Sequence, residues 1–284
     1  MRITIFILFL LPVLLLSSIL YYGIFWNVRI ALTNYSILNP LPRFTGFQGF
    51  FELLSDPEFV QALVRTMLWA ALLVFLGNIV GLLLASSIFQ LESARLRNAL
   101  TAFFIYPLSL SMVVVGIIWR WLFDQYKGVN MILTNAGLPS PQWLEGSNAF
   151  WSLVFVSVWV YGGFTAMLYL AMFYNVSRSL IESAMIDGAG ALTIMRRIVL
   201  PNSRQGLIIS TIFLTLFAIQ MFDLPYSMLF LNPLTQTLVM YIYIKFVSLY
   251  FYMASAAAVV IIAISAFIVI PYAIYGIKRW IASG

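Results

Sequence analysis

The sequence predicts an all-α membrane protein that crosses the bilayer six times. Hydrophobic residues make up 63% of its 284 residues, only 8% are charged, and the mean hydropathy is +1.01. A soluble domain carries about 25% charged residues, so this chain cannot cover a water-facing surface. Its apolar segments reach the roughly 20 residues that a membrane-spanning helix needs, and they do not alternate as the strands of a membrane barrel would.

Six apolar segments are long enough to span. They run from about Ile3 to Leu32, Phe59 to Phe89, Leu100 to Phe123, Phe150 to Tyr174, Leu207 to Leu231 and Met253 to Ile277. The first follows Arg2, as a secretory signal would, but its apolar run exceeds the usual ~7–15 residues and no small-residue cleavage pattern follows. We therefore interpret it as a retained helix, and residues 1–284 as a single transmembrane domain.

The basic residues are distributed unevenly across these spans. Six spans place both termini on one side, and that side carries nine basic residues against three acidic ones, whereas the other side carries six of each. Because cytoplasmic loops are enriched in Lys and Arg, the pattern predicts a multi-pass protein of the cell membrane with cytoplasmic termini. Topology thus accounts for the net charge of +6, and no nucleic-acid interface is needed.

Several kinds of chemistry are excluded by composition. The chain has no cysteine and no histidine, which removes disulfides, thiolate or imidazole metal sites, and Ser-His-Asp catalysis. It also lacks the G-x-x-x-x-G-K-[ST] phosphate-binding loop, so the chain cannot hydrolyse ATP by that route. We expect neither an enzyme nor a metal or cofactor site within this chain.

One connection, which we call the elbow (residues 178–204), is unusually polar for this chain. It lies in the cytoplasm in the predicted topology and contains Glu182 and Asp187 together with four arginines. Glycines at 188 and 190 predict a break between two short helices, 180–186 and 192–199, the second ended by Pro201. Helical spacing gives each helix an apolar face, namely Ile181, Ala184 and Met185 in the first and Leu192, Met195 and Val199 in the second. Such a surface suits docking on another protein or, alternatively, on lipid headgroups.

The elbow resembles the EAA loop of permease subunits from ABC importers that use a solute-binding protein. That family's pattern is E-A-A, two residues, D-G-A, an aromatic or apolar position, and then I-x-L-P. This chain matches it with Glu182, Ser183, Ala184, Asp187, Gly188, Ala189, Met195, Ile198, Leu200 and Pro201. Ser183 replaces an alanine, and Met195 stands where phenylalanine is common. The segments YPLSLSMVVVGIIWRWLFD and QMFDLPY are typical of the family's carbohydrate-uptake branch.

The resemblance implies a type I importer permease fold and a set of partners. The elbow would form a coupling helix seated in a cytoplasmic ATPase subunit, and ATP with its Mg²⁺ would bind there. A second, similar permease and an extracellular binding protein would complete the transporter. Where many relatives carry a glycine-rich GGP, this chain has Leu231-Asn232-Pro233, so we expect that loop to differ in shape or in its contact with the binding protein.

The solute path is less sharply defined by the sequence. Sugars are held by aromatic faces and neutral hydrogen-bonding groups, and the candidate residues are Asn78, Trp159, Gln220, Asp223 and Tyr226. Pro225 would break the helix there, and broken helices often line cavities. The alternative roles are interface anchoring for the aromatic residues and helix packing for Asn78, which lies in a G-xxx-G spacing. An alternative function, a secondary transporter or channel, is disfavoured because nearly every charge lies at a helix end or in a loop.

Overall fold

The computed structural model describes the backbone of residues 2–283 and the side chains of residues 10–271. Three basic residues that count in the charge asymmetry lie outside the described side chains, namely Arg2, Lys278 and Arg279. The described chain is helical and connected by turns. In order, the helices are α1 (Arg2–Ala31), α2 (Gln48–Ser55), α3 (Pro57–Phe89), α4 (Ala94–Ile105), α5 (Met112–Leu122), α6 (Gly128–Asn135), α7 (Gly146–Tyr174), α8 (Arg178–Ile186), α9 (Ala191–Ile194), α10 (Leu200–Asn202), α11 (Arg204–Ile219), α12 (Asp223–Leu229), α13 (Leu238–Val247) and α14 (Phe251–Ser283). A 3₁₀ turn, Tyr106–Ser109, follows α4, and a π-helical turn, Met195–Val199, joins α9 to α10.

The predicted spans are recovered as four continuous helices and two bent pairs. Within the described residues, α1, α3, α7 and α14 are each long and apolar enough to cross a membrane. The pair Ala94–Ser109 with Met112–Leu122 bends by 97°, and the pair Ala191–Asn202 with Arg204–Ile219 bends by 65°. Six spans result only when each bent pair counts as one. The first pair covers the third predicted segment, whereas the second bends at Ser203, before the fifth predicted segment begins, and contributes α11 to that segment.

The break in the third segment lies at Leu110 and Ser111, both of which have extended backbone. Pro107 precedes it, buried in the 3₁₀ turn, and proline cannot donate to the helical ladder. The end of α4 also packs directly on α7, where a side chain at Gly163 would collide with the carbonyl of Phe104. This backbone-to-backbone approach requires glycine and fixes α4 against α7 at the bend.

The break in the fifth segment precedes the proline to which the sequence assigned it. Helix α11 ends at Ile219, and Pro225 lies in the first turn of α12, where proline is tolerated. The physical reason is that a continuous helix would need the missing N–H of Pro225 to donate to the carbonyl of Met221. That carbonyl instead accepts a hydrogen bond from the Thr237 hydroxyl at 3.0 Å.

Two compact units make up the chain, residues 1–62 with 238–284 and residues 63–237, and the assignment of 1–284 to one domain stays a prediction. In the first unit, α1 packs against α14 and α14 packs against α13. Phe59 and Tyr241 meet edge to face at 5.4 Å in its core, and small residues such as Ala256 and Ala257 are fully buried.

The second unit has two apolar clusters. One surrounds Trp69, Leu153 and Leu214, where α3, α7 and α11 meet. The other lies at the ends of α3 and α7 and includes Ala85 and Phe173 together with residues of the elbow. The second cluster therefore attaches the elbow to the two longest helices of the unit.

Candidate functional site

The first half of the elbow ends in a Schellman turn at Gly188. This residue has φ +80°, and the N–H groups of Gly188 and Ala189 donate to the carbonyls of Met185 (3.0 Å) and Ala184 (2.9 Å). These two bonds satisfy carbonyls that the end of α8 would otherwise leave unpaired. The bend predicted at Gly188 is present, and it depends on backbone conformation alone because nothing lies within 4 Å of the position that a Cβ would occupy.

The second half differs from its predicted form because the helix does not end at Pro201. One α-helical turn, α9, leads into the π-helical turn, and the helix continues through Pro201 to Asn202. Proline removes one hydrogen bond of the ladder and its ring crowds the carbonyl four residues earlier. A π-helical turn just before it widens the helix, which accommodates the ring without stopping the chain.

The apolar faces of the elbow are partly as predicted. Met195 and Val199 are buried with Ile194, whereas Leu192, placed on the same face by the sequence, is exposed. The 3.6-residue spacing used for that prediction fails because the π-helical turn holds more residues per turn. In α8, Met185 is likewise exposed, because the turn at Gly188 folds Ala189 back over Ala184 and leaves Met185 outside that contact.

The buried side of the elbow forms an apolar seat on α3 and α7. Ile194, Met195 and Val199 pack in one cluster with residues of both helices, which are Ala85, Ile88, Ala166, Tyr169, Leu170 and Phe173. Ile181, Ala184, Ala189 and Leu200 pack against the same cluster from its edge. Four of the predicted motif positions thus face the body of the protein, namely Ala184, Ala189, Met195 and Leu200, and Ile198 is half-buried.

The opposite side of the elbow carries the charged and the remaining apolar groups. Glu182 pairs with Arg178 one turn earlier at 3.2 Å, and both side chains are largely exposed. Ser183, Asp187, Gly188 and Pro201 are exposed as well. The elbow also exposes three large apolar side chains, Met185, Ile186 and Leu192, by 59%, 87% and 69%. A mixed apolar and charged surface of this kind can bind a protein partner that offers complementary groups.

Asn78 occupies a buried polar node between helices. Its side-chain N–H₂ donates to the carbonyl of Val74 (2.8 Å) and to Thr211 Oγ1 (3.4 Å). Its Oδ1 accepts from the Tyr169 hydroxyl (2.9 Å) and the Ser210 hydroxyl (2.5 Å). Since all the hydrogen-bonding capacity of the amide is used inside the unit, the geometry favours a packing role, and Gly77 and Gly81 on either side contact Leu214 and Thr165 closely.

Trp159 belongs to an aromatic group on α5 and α7. Its ring meets that of Trp119 edge to face at 5.3 Å, and Trp119 in turn contacts Phe155 at 5.4 Å. Trp159 also borders a cavity of about 350 Å³ beside the break after α4, lined almost entirely by apolar side chains. The described contacts of Trp159 are aromatic and apolar, whereas the side-chain amide of Asn78 is bonded to polar groups of α3, α7 and α11, so the structure does not bring these two candidates to one site.

Gln220, Asp223 and Tyr226 lie together at the broken end of α11. Gln220 and Asp223 are exposed, and Tyr226 stacks on Phe222 at 5.0 Å with its ring half-buried. Two neutral or acidic hydrogen-bonding groups thus flank an aromatic pair at a helix break. After α12, Asn232 forms a turn in which its side chain accepts from the N–H of Leu234 at 2.9 Å, and this turn shapes the Leu231–Pro233 loop.

An ionic cluster in the first unit was missed by the sequence reasoning. Lys245 lies 3.1 Å from Asp56 and 3.0 Å from Glu58, and the Tyr241 hydroxyl donates to Asp56 at 2.8 Å. Burial raises the pKa of Asp56, but hydrogen bonds from Tyr241 and Lys245 outweigh it and leave that pKa below its usual value. Burial lowers the pKa of Lys245, and its hydrogen bonds to Glu58 and Asp56 reverse this and raise it. One local signal could have indicated the role of Asp56, because the pair Asp56-Pro57 is typical of a helix start. There the Asp56 carboxylate accepts a hydrogen bond from the N–H of Glu58 at 2.9 Å.

Metal binding has no evident ligand set in the part of the chain that the structure describes. No group of three or more Asp, Glu, His or Cys side chains gathers there.

The arrangement of helices is that of importer membrane subunits of known structure. A bacterial alginate ABC transporter, solved in complex with an alginate pentasaccharide-bound periplasmic protein, contains a chain that superposes with a TM-score of 0.76 at 23% identity, covering 92% of both chains. A second structure of an alginate-importing ABC transporter gives a TM-score of 0.73 at 22% identity over 95% of this chain and 96% of that one. These likenesses establish the fold.

Sequence comparison then defines the family. Residues 77–279 match the binding-protein-dependent transport system inner membrane component family, and this chain belongs to it. A glucose import system permease protein of Saccharolobus solfataricus is 40% identical over 95% of this chain and 96% of its own length. A sulfoquinovosyl glycerol transport system permease protein of Agrobacterium fabrum is 33% identical over 89% of this chain and 83% of its own length.

Proposed function

We propose that this chain is the permease subunit of an ATP-driven importer that carries a sugar or a related polar solute, delivered by an extracellular binding protein. The observation that carries the proposal is the elbow, an ordered and partly exposed loop seated on two long helices of a family member. ATP and Mg²⁺ would bind to the partner ATPase subunits, and this chain would contribute no cofactor of its own.

The elbow is proposed to dock on the ATPase. Its exposed side offers Met185, Ile186 and Leu192 as apolar anchors, with Glu182 and Asp187 as charged groups around them. Its buried side is continuous with α3 and α7. Movement of the ATPase would therefore reach the membrane helices through a packed apolar seat, and the charges of this connection serve to hold a soluble partner.

The solute path is proposed to pass the break at Gln220–Phe222. Asp223 is exposed in a segment whose neighbours are apolar, and a carboxylate facing hydrocarbon is costly. A water-filled path beside this residue removes that cost. Tyr226 and Phe222 would offer aromatic faces to a sugar ring. The Gln220 amide would donate hydrogen bonds to the sugar hydroxyls or accept them, and the Asp223 carboxylate would accept them. Trp159 and Asn78, the other two predicted path residues, stay predictions, and the buried hydrogen bonds of Asn78 favour packing over solute contact.

A sugar is favoured as the solute because relatives that span nearly the whole chain are named for sugar or sugar-conjugate uptake. The experiment reconstitutes the transporter in liposomes with its ATPase and binding protein and measures ATP-dependent uptake of labelled hexoses, pentoses and disaccharides. Accumulation that requires both ATP and the binding protein is expected. Uptake that persists without ATP would favour a secondary transporter and contradict the proposal.

Two features of the assembly are proposed with the function. One elbow would dock on one ATPase subunit, so a transporter with two ATPase subunits needs a second permease. We propose that this second permease is similar to the present chain but has a different sequence, so that the two form a heterodimer. Mass spectrometry of the purified complex tests this, since finding this chain as the sole membrane subunit would refute the heterodimer.

Cytoplasmic termini are proposed from the charge asymmetry. In intact cells, a cysteine replacing the exposed Ser140 should react with an impermeant thiol reagent, and one replacing the exposed Ala94 should react only after permeabilisation. The natural chain has no cysteine, so the unmodified protein provides the background. The reverse pattern would overturn the orientation.

A further inference from the structure

The connection between α1 and α3 exposes a concentration of large apolar side chains. Within residues 37–54 these are Ile37, Leu38, Leu41, Phe44, Phe47, Phe51 and Leu54. The same stretch contains two charged residues, Arg43 and Glu52. Single apolar residues on a surface need no explanation, but this many in one short connection indicate a surface that something else covers.

Helix α2 within this stretch has three distinct faces. Gly49 and Leu53 are buried against the unit. Gln48, Glu52 and Ser55 form a polar face, on which Gln48 donates to Glu52 at 3.0 Å. Phe47, just before the helix, Phe51 and Leu54 form an apolar face and are exposed by 68%, 69% and 59%. A helix that only covered the protein would need one apolar face, so the second one has a different partner.

The depth of α2 is fixed by contacts with the ends of two membrane-spanning helices. Gly49 approaches so closely that a Cβ there would lie 3.2 Å from the carbonyl oxygen of Ala31, the last residue of α1, and 3.1 Å from the ring of Tyr252. The hydroxyl of Tyr252, at the start of α14, donates to Glu52 at 2.8 Å. Helix α2 therefore lies where two spans end, which is the level at which hydrocarbon gives way to lipid headgroups.

The end of α1 that contacts α2 is preceded by exposed aromatic side chains. Tyr21, Tyr22, Phe25 and Trp26 are exposed in the last three turns of α1, as expected for the aromatic belt of a spanning helix. Trp26 precedes Ala31 by five residues, which is about 7.5 Å along a helix. Amphipathic helices bury their apolar face about 5–10 Å into the boundary between headgroups and acyl chains.

We propose that α2 is an interfacial helix whose Phe47, Phe51 and Leu54 insert into the lipid leaflet at the ends of α1 and α14. The partner is the lipid surface, because the face is apolar and its depth matches that boundary. This inference depends on α1 and α14 crossing the membrane and does not depend on the solute or on which side the leaflet faces. Its failure would therefore leave the importer function intact.

Spin labelling tests the proposal with matched positions on neighbouring faces of one helix. Single cysteines replace Phe51 or Leu54 on the apolar face and Gln48 or Ser55 on the polar face, and each is labelled with a nitroxide. All four side chains are exposed, so the variants should fold, and retained uptake verifies this. The assembled transporter is reconstituted in liposomes, and a complex with the unmodified chain gives the background.

The readout is the collision rate of each label with oxygen, which partitions into lipid, and with a water-soluble nickel chelate. We expect the oxygen-to-nickel ratio to be several-fold higher at residues 51 and 54 than at 48 and 55, without the binding protein. Equal nickel accessibility on both faces would overturn the proposal. Nickel accessibility at residue 51 that falls only when the binding protein is added would also overturn it, because the patch would then be a protein-docking surface.

Discussion

The bend at Gly188 offers the sharpest test of the elbow, because its conformation and its surroundings separate backbone effects from steric ones. The residue has φ +80°, and nothing lies within 4 Å of a Cβ placed there. A substitution therefore meets no neighbour and acts through the left-handed backbone alone. For a residue such as alanine that conformation costs about 1–2 kcal/mol, whereas asparagine tolerates it better than other side chains.

Three substitutions at this position should give a graded result. A cost of about 1–2 kcal/mol lowers the population of the bent elbow roughly 5–30-fold relative to its alternatives. We expect Gly188→Ala to reduce uptake and co-purification of the ATPase, and Gly188→Asn to remain near the natural protein. Gly188→Pro should abolish both, because proline fixes φ near −65° and removes the N–H that donates to Met185.

The assay measures uptake, binding-protein-stimulated ATPase activity and the amount of ATPase that co-purifies, each normalised to the permease content of the membrane. Permease content should not change, since Gly188 is exposed and outside the spans. If Gly188→Ala and Gly188→Pro both transported like Gly188→Asn, the Schellman turn would not matter for coupling. The reasoning that links backbone conformation to ATPase docking would then be refuted.

Three further predictions concern single side chains. Glu182→Lys should weaken ATPase co-purification and uptake. Permease content should stay constant, because the exposed pair of Glu182 with Arg178 contributes only about 0–1 kcal/mol to stability. Glu182→Gln should have a milder effect, and normal transport by the lysine variant would argue against docking. Asn78→Leu should destabilise the purified protein by about 1–3 kcal/mol, since the Tyr169 and Ser210 hydroxyls lose their acceptor, and unchanged stability in thermal unfolding would contradict the packing role. Lys245→Met should destabilise by about 1.5–3 kcal/mol, and the exposed Lys127→Met should not. The folded-state pKa of Asp56 is lowered and that of Lys245 is raised, so the extra destabilisation of Lys245→Met over Lys127→Met should be constant from about pH 5 to about pH 9. It should become smaller as the pH falls through the lowered pKa of Asp56 or rises through the raised pKa of Lys245.

Local sequence signals predicted the parts of the fold that local physics decides. The membrane class followed from composition, and the bend at Gly188 followed from the one residue type that enters the left-handed region freely. The break near Pro225 was predicted but misplaced, because the sequence does not reveal that Thr237 takes up the carbonyl of Met221. The bend after α4 depends on the close approach of Gly163 to Phe104, which is a tertiary contact.

Long-range pairing was beyond the reach of pattern reasoning for a simple reason. Lys245 and Glu58 are 187 residues apart, and each looks alone like an ordinary charge at a helix end. The predicted topology placed both on the same side of the membrane but could not bring them together. The predicted apolar faces of the elbow were only partly correct. Leu192 is displaced by the π-helical turn and Met185 by the chain that folds back at Gly188, and helical spacing reveals neither.

In the proposed coupling role, the elbow would transmit force to the membrane helices through its buried side. Burying an aliphatic or methionine side chain contributes about 1.5–3 kcal/mol, and Ile194, Met195 and Val199 are all buried in the seat on α3 and α7. The charged side holds one exposed ion pair, Arg178 with Glu182, which contributes about 0–1 kcal/mol. In the proposed coupling role, a pull on the exposed side would move the elbow together with α3 and α7, because separating them would expose these three buried side chains. Gly81 and Gly163 extend this connection, because their close contacts hold α3 and α4 against α7. If the elbow docks on the ATPase as proposed, its exposed side would engage and release that partner while the attachment to the helices persists, as a repeating transport cycle requires.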